Sequence, residues 1–175
     1  MKTLGLLRHA KSDWSAGDTR DFDRGLNQRG QRGAALIGAH IAQHGLAWDR
    51  IVASPAARVR LTLDKALPGR AVTWDERLYL ASAAAIMDLL PEIGGDAASV
   101  LIAGHNPGLG DMLFELVAPS NENALYDEAK VKFPTAAYAV FELAIADWRD
   151  LKPGCGTLVH FTRPRDLDTE LGRPE

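Results

Sequence analysis

The chain has 175 residues, 46% of them hydrophobic and 25% charged, with a net charge of −3; that is an ordinary globular mix, long enough to bury a real core. No apolar run reaches the ~18 residues of a membrane span, the single cysteine, Cys155, leaves no internal disulfide and no cysteine metal site, and no run of Lys and Arg offers a general nucleic-acid surface. The small net charge hides a split: residues 1–70 carry 12 Lys and Arg against 6 Asp and Glu, and residues 71–175 carry 8 against 17, which points to an anionic ligand held mainly by the first part.

In chain order, Thr3–Leu7 reads as a buried strand, with no alternation and no turn residues. Arg8 and His9 follow before a signal-peptide core can form, and no small-residue cleavage site comes after them, so a cytoplasmic protein is expected. Residues 10–25 are polar and read as a loop. Asn27 caps a helix running to about His44, where Gly45 ends it. Arg50–Ala53 is a second strand, and Ser54-Pro55 opens a second helix, with Ser as cap, ending near Leu67. Ala71–Trp74 is a third strand. Ser82 caps a helix over Ala83–Leu90, closed by Pro91 and Gly94-Gly95. Val100–Ala103 is a fourth, fully apolar strand, followed by the loop Gly104–Gly108 and a helix over Leu109–Val117. Residues 119–130 read as a polar loop able to cover a pocket, Ala137–Leu143 and Thr157–Phe161 as the last strands, and residues from about 164 as a weakly ordered tail.

Strands and helices alternating in this way predict a single α/β domain over residues 1–175. The fold class is three-layer α/β/α, with a mostly parallel central sheet of about six strands and helices on both faces. Such sheets bind ligands at the carboxyl ends of their strands. Three segments lie there: Arg8-His9 after the first strand, Ser54-Pro55-Ala56-Ala57-Arg58 after the second, and Gly104-His105-Asn106-Pro107 after the fourth. The sheet brings two arginines and two histidines to one point. Planar, bidentate guanidiniums suit phosphate or carboxylate. His105 belongs to the acidic part of the chain, so the charge split is not a split into domains.

Arg8-His9-Ala10, Ser54-Pro55 with Arg58, and Gly104-His105-Asn106-Pro107 resemble the signature of the histidine phosphatase superfamily, also called phosphoglycerate-mutase-like. Ala10 stands where that family has Gly. Leu7-Arg8-His9-Ala10-Lys11-Ser12, Leu26-Asn27 with Arg29-Gly30, and the short length are most similar to its compact bacterial phosphohistidine phosphatases of the SixA type. The resemblance spans residues 1 to about 163. It implies His9 as nucleophile, Arg8 and Arg58 as holders of the phosphoryl oxygens, and His105 as a donor to the phosphoryl group in the transition state. It implies no metal and no cofactor, and an open pocket. Arg24 is a candidate substrate contact or a local salt bridge; Lys11 and Ser12 are further candidates to face the anion. The expected partner is a phosphohistidine-bearing protein or a small phosphorylated substrate, not nucleic acid or membrane; the oligomeric state stays open, a monomer being compatible with the sequence.

Two departures bear on substrate. Many relatives carry an acidic residue after Arg-Leu-x, but Arg77-Leu78-Tyr79 is followed by Leu80; Ser15 stands where many have Asn. The usual proton donor is therefore missing, with Glu76, Asp13, Asp21 and Asp23 as possible substitutes. A sugar or serine alkoxide needs a general acid, whereas imidazole, with a conjugate-acid pKa of about 6.5, needs far less help. The leading expectation is a protein phosphohistidine phosphatase. Its alternatives are a small-molecule phosphomonoesterase or mutase of the same superfamily, and a non-catalytic phospho-binding module. His40 and His44, at i, i+4 spacing, read as surface histidines, because Ile41 stands where a metalloprotease helix needs Glu. Trp14, Trp48, Trp74 and Trp148 read as packing residues, and His160 as structural.

Overall fold

The apolar runs Leu4–Leu7 and Val100–Ala103 become central strands because both faces of the sheet are covered. The computed structural model describes residues 1–15 and 17–173. Its strands are β1 (Lys2–Arg8), β2 (Arg50–Ala53), β3 (Thr73–Trp74), β4 (Ser99–Gly104), β5 (Tyr138–Leu143) and β6 (Gly156–Thr162), in the order β3-β2-β4-β1-β5-β6. The β1–β4, β2–β4 and β2–β3 pairs are parallel; β5 and β6 extend the sheet antiparallel. The helices are α1 (Gln28–His44), α2 (Ala57–Ala66), α3 (Ala83–Gly94), α4 (Gly108–Leu116), α5 (Ala124–Val131) and α6 (Pro164–Leu167).

Strand alternation sends successive side chains to opposite layers. Leu4, Leu6, Val100 and Ile102 pack with α3, α4 and α5; Leu7, Leu101 and Ala103 pack with α1 and α2. Each fully buried aliphatic side chain of this kind stabilises by ~1.5–3 kcal/mol. Trp148 is fully buried, lies against Gly94, and donates its indole N–H to the Ala97 carbonyl at 2.7 Å. Gly38 lets α1 approach the backbone of Ala66 on α2; a Cβ there would collide with it.

Several boundaries differ from the expectation. Ser54 is not the cap residue of α2: that is Ala56, whose N–H the Ser54 hydroxyl accepts at 3.3 Å, and the same hydroxyl lies beside His105. Of the expected stop signals for α3, Pro91 lies inside the helix, near its last turn, and the end comes at Gly94 with Gly95 as the cap. Only Thr73 and Trp74 of the third strand pair, at the sheet edge. Residues 119–130 are not a loop. They form a 3-10 turn, Pro119–Asn121, and most of α5, where Asn123 caps the Tyr126 N–H at 2.9 Å. α5 buries Tyr126 and Ala129 against α4 and β6 rather than standing over a pocket as a loop. Residues 164–173 of the expected tail form α6 and a 3-10 turn, Thr169–Gly172, with α6 on α1; residues 174 and 175 lie outside those described. Trp48 and Trp148 are core residues, whereas Trp14 is 72% exposed and Trp74 37%, each covered by an arginine, Arg24 and Arg60.

Among the described residues no helix is long and apolar enough to cross a membrane.

Candidate active site

Parallel pairing sets the carboxyl ends of β2, β4 and β1 level. Arg8 faces Gly104 and Ala53 faces Ala103 in register, so His9, Ser54 and His105 are the first residues past three adjacent strands. The pairing persists one step further: the His9 N–H donates to the Gly104 carbonyl at 3.0 Å, and the Ser54 N–H to that of Ala103 at 3.1 Å. The His9 and His105 ring centres are 5.4 Å apart.

His9 is buried, with Nδ1 2.7 Å from the Ala10 carbonyl oxygen. A carbonyl only accepts, so Nδ1 carries the proton and Nε2 keeps its lone pair. Burial pushes the His9 pKa down to about 4; Arg8 and Arg58 add to this, and the Ala10 carbonyl and Asp21 oppose it. Desolvation thus does most to keep His9 neutral, ahead of the two cations. The Ala10 N–H donates to Thr62 Oγ1 at 2.8 Å, and Thr62 donates to the Arg58 carbonyl at 2.7 Å. One hydroxyl thus ties the His9 turn to α2.

His105 is buried, and its Nε2 lies 2.8 Å from Ser54 Oγ. Its Nδ1 is buried with no hydrogen-bond partner among the described residues. Ser54 Oγ already accepts the Ala56 N–H at 3.3 Å, which directs its hydrogen to Nε2; in that arrangement Nδ1 carries the proton and is available as a donor. Burial, then Arg58 and His9, push the His105 pKa down to about 3. Asn106 donates to the Phe133 carbonyl at 2.8 Å, and Arg8 Nη1 donates to the same oxygen at 3.2 Å. Burial and Arg58 lower the Arg8 pKa from its ordinary value.

Arg58, on the first turn of α2, has a side chain only 6% exposed. It donates from Nη1 to the Asp21 carbonyl at 2.7 Å and from Nη2 to Asp21 Oδ2 at 3.0 Å. Tyr79 also donates its hydroxyl to Asp21 Oδ2, and its ring stands edge-on to His105 at 5.4 Å. The Tyr79 hydrogen bond, then Arg58, hold the Asp21 carboxyl below its usual range. Asp21 is thus the acidic candidate closest in contact with the four expected residues, and it is held as a carboxylate. Arg24 serves both expectations in part: its guanidinium stacks 3.7 Å over Trp14 and lies 3.8 Å from Asp21 Oδ1. Ser12 is buried in an antiparallel bridge with Leu26, and no hydrogen bond joins it to the strand-end residues.

Sequence reasoning missed the roles of Ser54, Thr62 and Tyr79. Thr62 had a signal, a hydroxyl one turn after Arg58; Tyr79 had none without the fold. Elsewhere, His40 is not a simple surface residue: its Nε2 is 2.8 Å from His160 Nε2, and the His44 ring stacks on His160 at 4.1 Å. No group of three or more His, Cys, Asp or Glu among the described residues is arranged to hold a metal ion.

This arrangement and the sequence comparisons agree. The family model of the histidine phosphatase superfamily (branch 1) matches residues 4–81. The chain belongs to that superfamily, in its SixA-type branch, and is a phosphatase. It is 31% identical to a candidate phosphohistidine phosphatase SixA from Nakamurella multipartitia, with a TM-score of 0.80 over 93% of this chain and 96% of that one. A SixA candidate from Agrobacterium tumefaciens is 30% identical, with a TM-score of 0.77 over 93% and 98% of the two chains. An uncharacterized protein of Mycobacterium tuberculosis strain H37Rv is 34% identical over 160 residues, 91% of this chain and all of its own length.

His9, His105 and the half-buried His160 also make the fold sensitive to acid. The His160 pKa is pushed down to about 4 by burial, then by His44 and His40, beside about 4 for His9 and about 3 for His105. An unfolded histidine titrates near 6.5. As pH falls the unfolded chain takes up these protons first, so stability is full above ~6.5 and declines down to ~3, where His105 in the folded chain takes up its proton. Denaturant unfolding from pH 8 to pH 4 should show that decline, with a shallower slope in His160→Gln. A flat profile between pH 7 and 4.5 contradicts it.

Proposed function

We propose that this phosphatase removes the phosphoryl group from phosphohistidine on a protein, through a phosphohistidine intermediate on His9. His9 Nε2 attacks phosphorus in line with the departing nitrogen. The P–N bond to the substrate breaks, and its ring, already protonated from solvent on the other nitrogen, leaves as neutral imidazole. Water then attacks the His9 phosphoryl group, releasing orthophosphate and restoring the neutral ring. Arg8 and Arg58 neutralise the equatorial oxygens, and His105 Nδ1–H donates to one of them as charge builds. These groups supply the charge stabilisation, so the proposed steps call on no metal. The reading treats the chain as one catalytic domain, because His9 and His105 serve one sheet edge.

The observation that carries the substrate class is the state of Asp21. It accepts from Arg58 and Tyr79 and is held as a carboxylate. A group in that state is a poor proton donor to an alkoxide. Imidazole leaves without one. The SixA-type relatives at 30% and 31% identity support the same substrate class. In a panel at equal concentration, phosphohistidine peptides should be cleaved at least ~100-fold faster than phosphoserine peptides. Equal rates would overturn the assignment, and faster cleavage of small phosphomonoesters would favour a small-molecule phosphatase. Binding with no turnover on any substrate would make the chain a phospho-binding module.

A further inference from the structure

A second concave site lies beside the reaction centre. It is a cavity of about 320 Å³ between the start of α1, the segment 132–136, and the α6 region. Six cations line it: Lys11, Arg29, Lys132, Arg163, Arg165 and Arg173. No Asp or Glu is among its described lining residues. Of the acidic side chains of the neighbouring segment, Asp166 pairs with the lining Arg163 at 2.9 Å, while Asp168 and Glu170 pair with Arg32, which is not among the lining residues. Lys132, Arg165 and Arg173 make no ion pair among the described residues.

Bringing like charges into one concavity raises the local potential and costs stability unless an anion offsets it. The cavity is at the small end of ligand sites, so a compact ligand of high charge fits better than a peptide, whose backbone needs room and whose carboxylates carry one charge each. Guanidiniums from two sides offer forked donors to tetrahedral oxyanions. We propose that this cavity binds a diphosphate group, either as inorganic pyrophosphate or as the diphosphate of a nucleotide.

The site is joined to the catalytic residues through the backbone. Ala10 and Ala136 line the cavity, and the Ala136 N–H donates to the His9 carbonyl at 2.9 Å. Lys132 precedes Phe133, whose carbonyl accepts from Arg8. A ligand held by Lys132 therefore bears on the segment that orients Arg8. The binding assignment does not depend on the phosphohistidine reading.

Calorimetric titration with inorganic pyrophosphate tests it. The starting protein is Arg58→Ala, which removes one of the two arginines of the catalytic anion site. Binding should persist there and weaken at least ~10-fold when Lys132→Ala and Arg165→Ala are added. Removing two cations distant in sequence, Arg50→Ala with Arg149→Ala, should change it less than ~3-fold at physiological salt. No binding in Arg58→Ala, no loss on adding the cavity pair, or an equal loss from the control pair overturns the proposal. So does tighter binding of a glutamate-rich peptide than of pyrophosphate. With ADP as competitor, displacement of pyrophosphate assigns the site to nucleotides and failure to displace it assigns the site to free pyrophosphate; both outcomes keep the diphosphate.

Discussion

His9→Ala should lower phosphate release by about four orders of magnitude or more while leaving the fold intact, as expected when a covalent nucleophile is removed. The other imidazole at the strand ends does not substitute for it: His105 Nε2 is engaged by Ser54, and its Nδ1 is the proposed donor. The fold should survive because the His9 side chain makes one hydrogen bond, to its neighbour's carbonyl, while the backbone links to Gly104 and Ala136 remain. Phosphate release and circular dichroism together check this. In the wild-type protein, rapid quenching in alkali should trap an acid-labile phosphoryl group on His9. Turnover of His9→Ala within tenfold of wild type would remove the nucleophile assignment.

Arg58→Ala should cost about 10²–10³-fold in kcat/KM, the usual effect of removing a donor aimed at developing charge. It should also move the acid limb of the rate profile. Arg58 lowers the pKa of both histidines, and Asp21 raises them. Without the guanidinium only Arg8 among the neighbouring cations still opposes the Asp21 charge, so both histidines hold protons to higher pH and activity is lost at a less acidic pH. Arg58→Lys returns the charge without the fork that meets both the Asp21 carbonyl and carboxylate. It should restore the position of the acid limb and only part of the rate. An Arg58→Ala profile with an unmoved acid limb, or a loss under tenfold, contradicts this role.

Much of this was legible in the sequence because it depends on short-range pattern. Apolar runs without alternation identified β1 and β4, and the strand-end rule then selected Arg8, His9, Arg58 and His105. Other features depend on contacts between distant segments. Asp21 is one of several acids in a polar loop until Arg58, 37 residues on, and Tyr79, 58 residues on, reach it. Ser54-Pro55 has the local chemistry of a helix cap, but His105 claims the hydroxyl. α5 was hidden because only Tyr126 and Ala129 of its eight residues are buried, too sparse an apolar stripe to show a period.

The position of β1 in the sheet has a consequence for how the site responds to thermal motion. β1 is bonded on both edges, to β4 and β5, and its Leu4, Leu6 and Leu7 are fully buried between the two helical layers. β3 and β6, at the margins, have a strand neighbour on one edge only, β6 adding a single parallel bridge from Gly156 to Val117. Local opening begins where backbone bonds face solvent and reaches doubly flanked strands last. The imidazole that must meet phosphorus in line therefore follows directly on a doubly flanked strand, whose amides should exchange with solvent slowly, while Asp21, on a loop, is held in place by Arg58 and Tyr79.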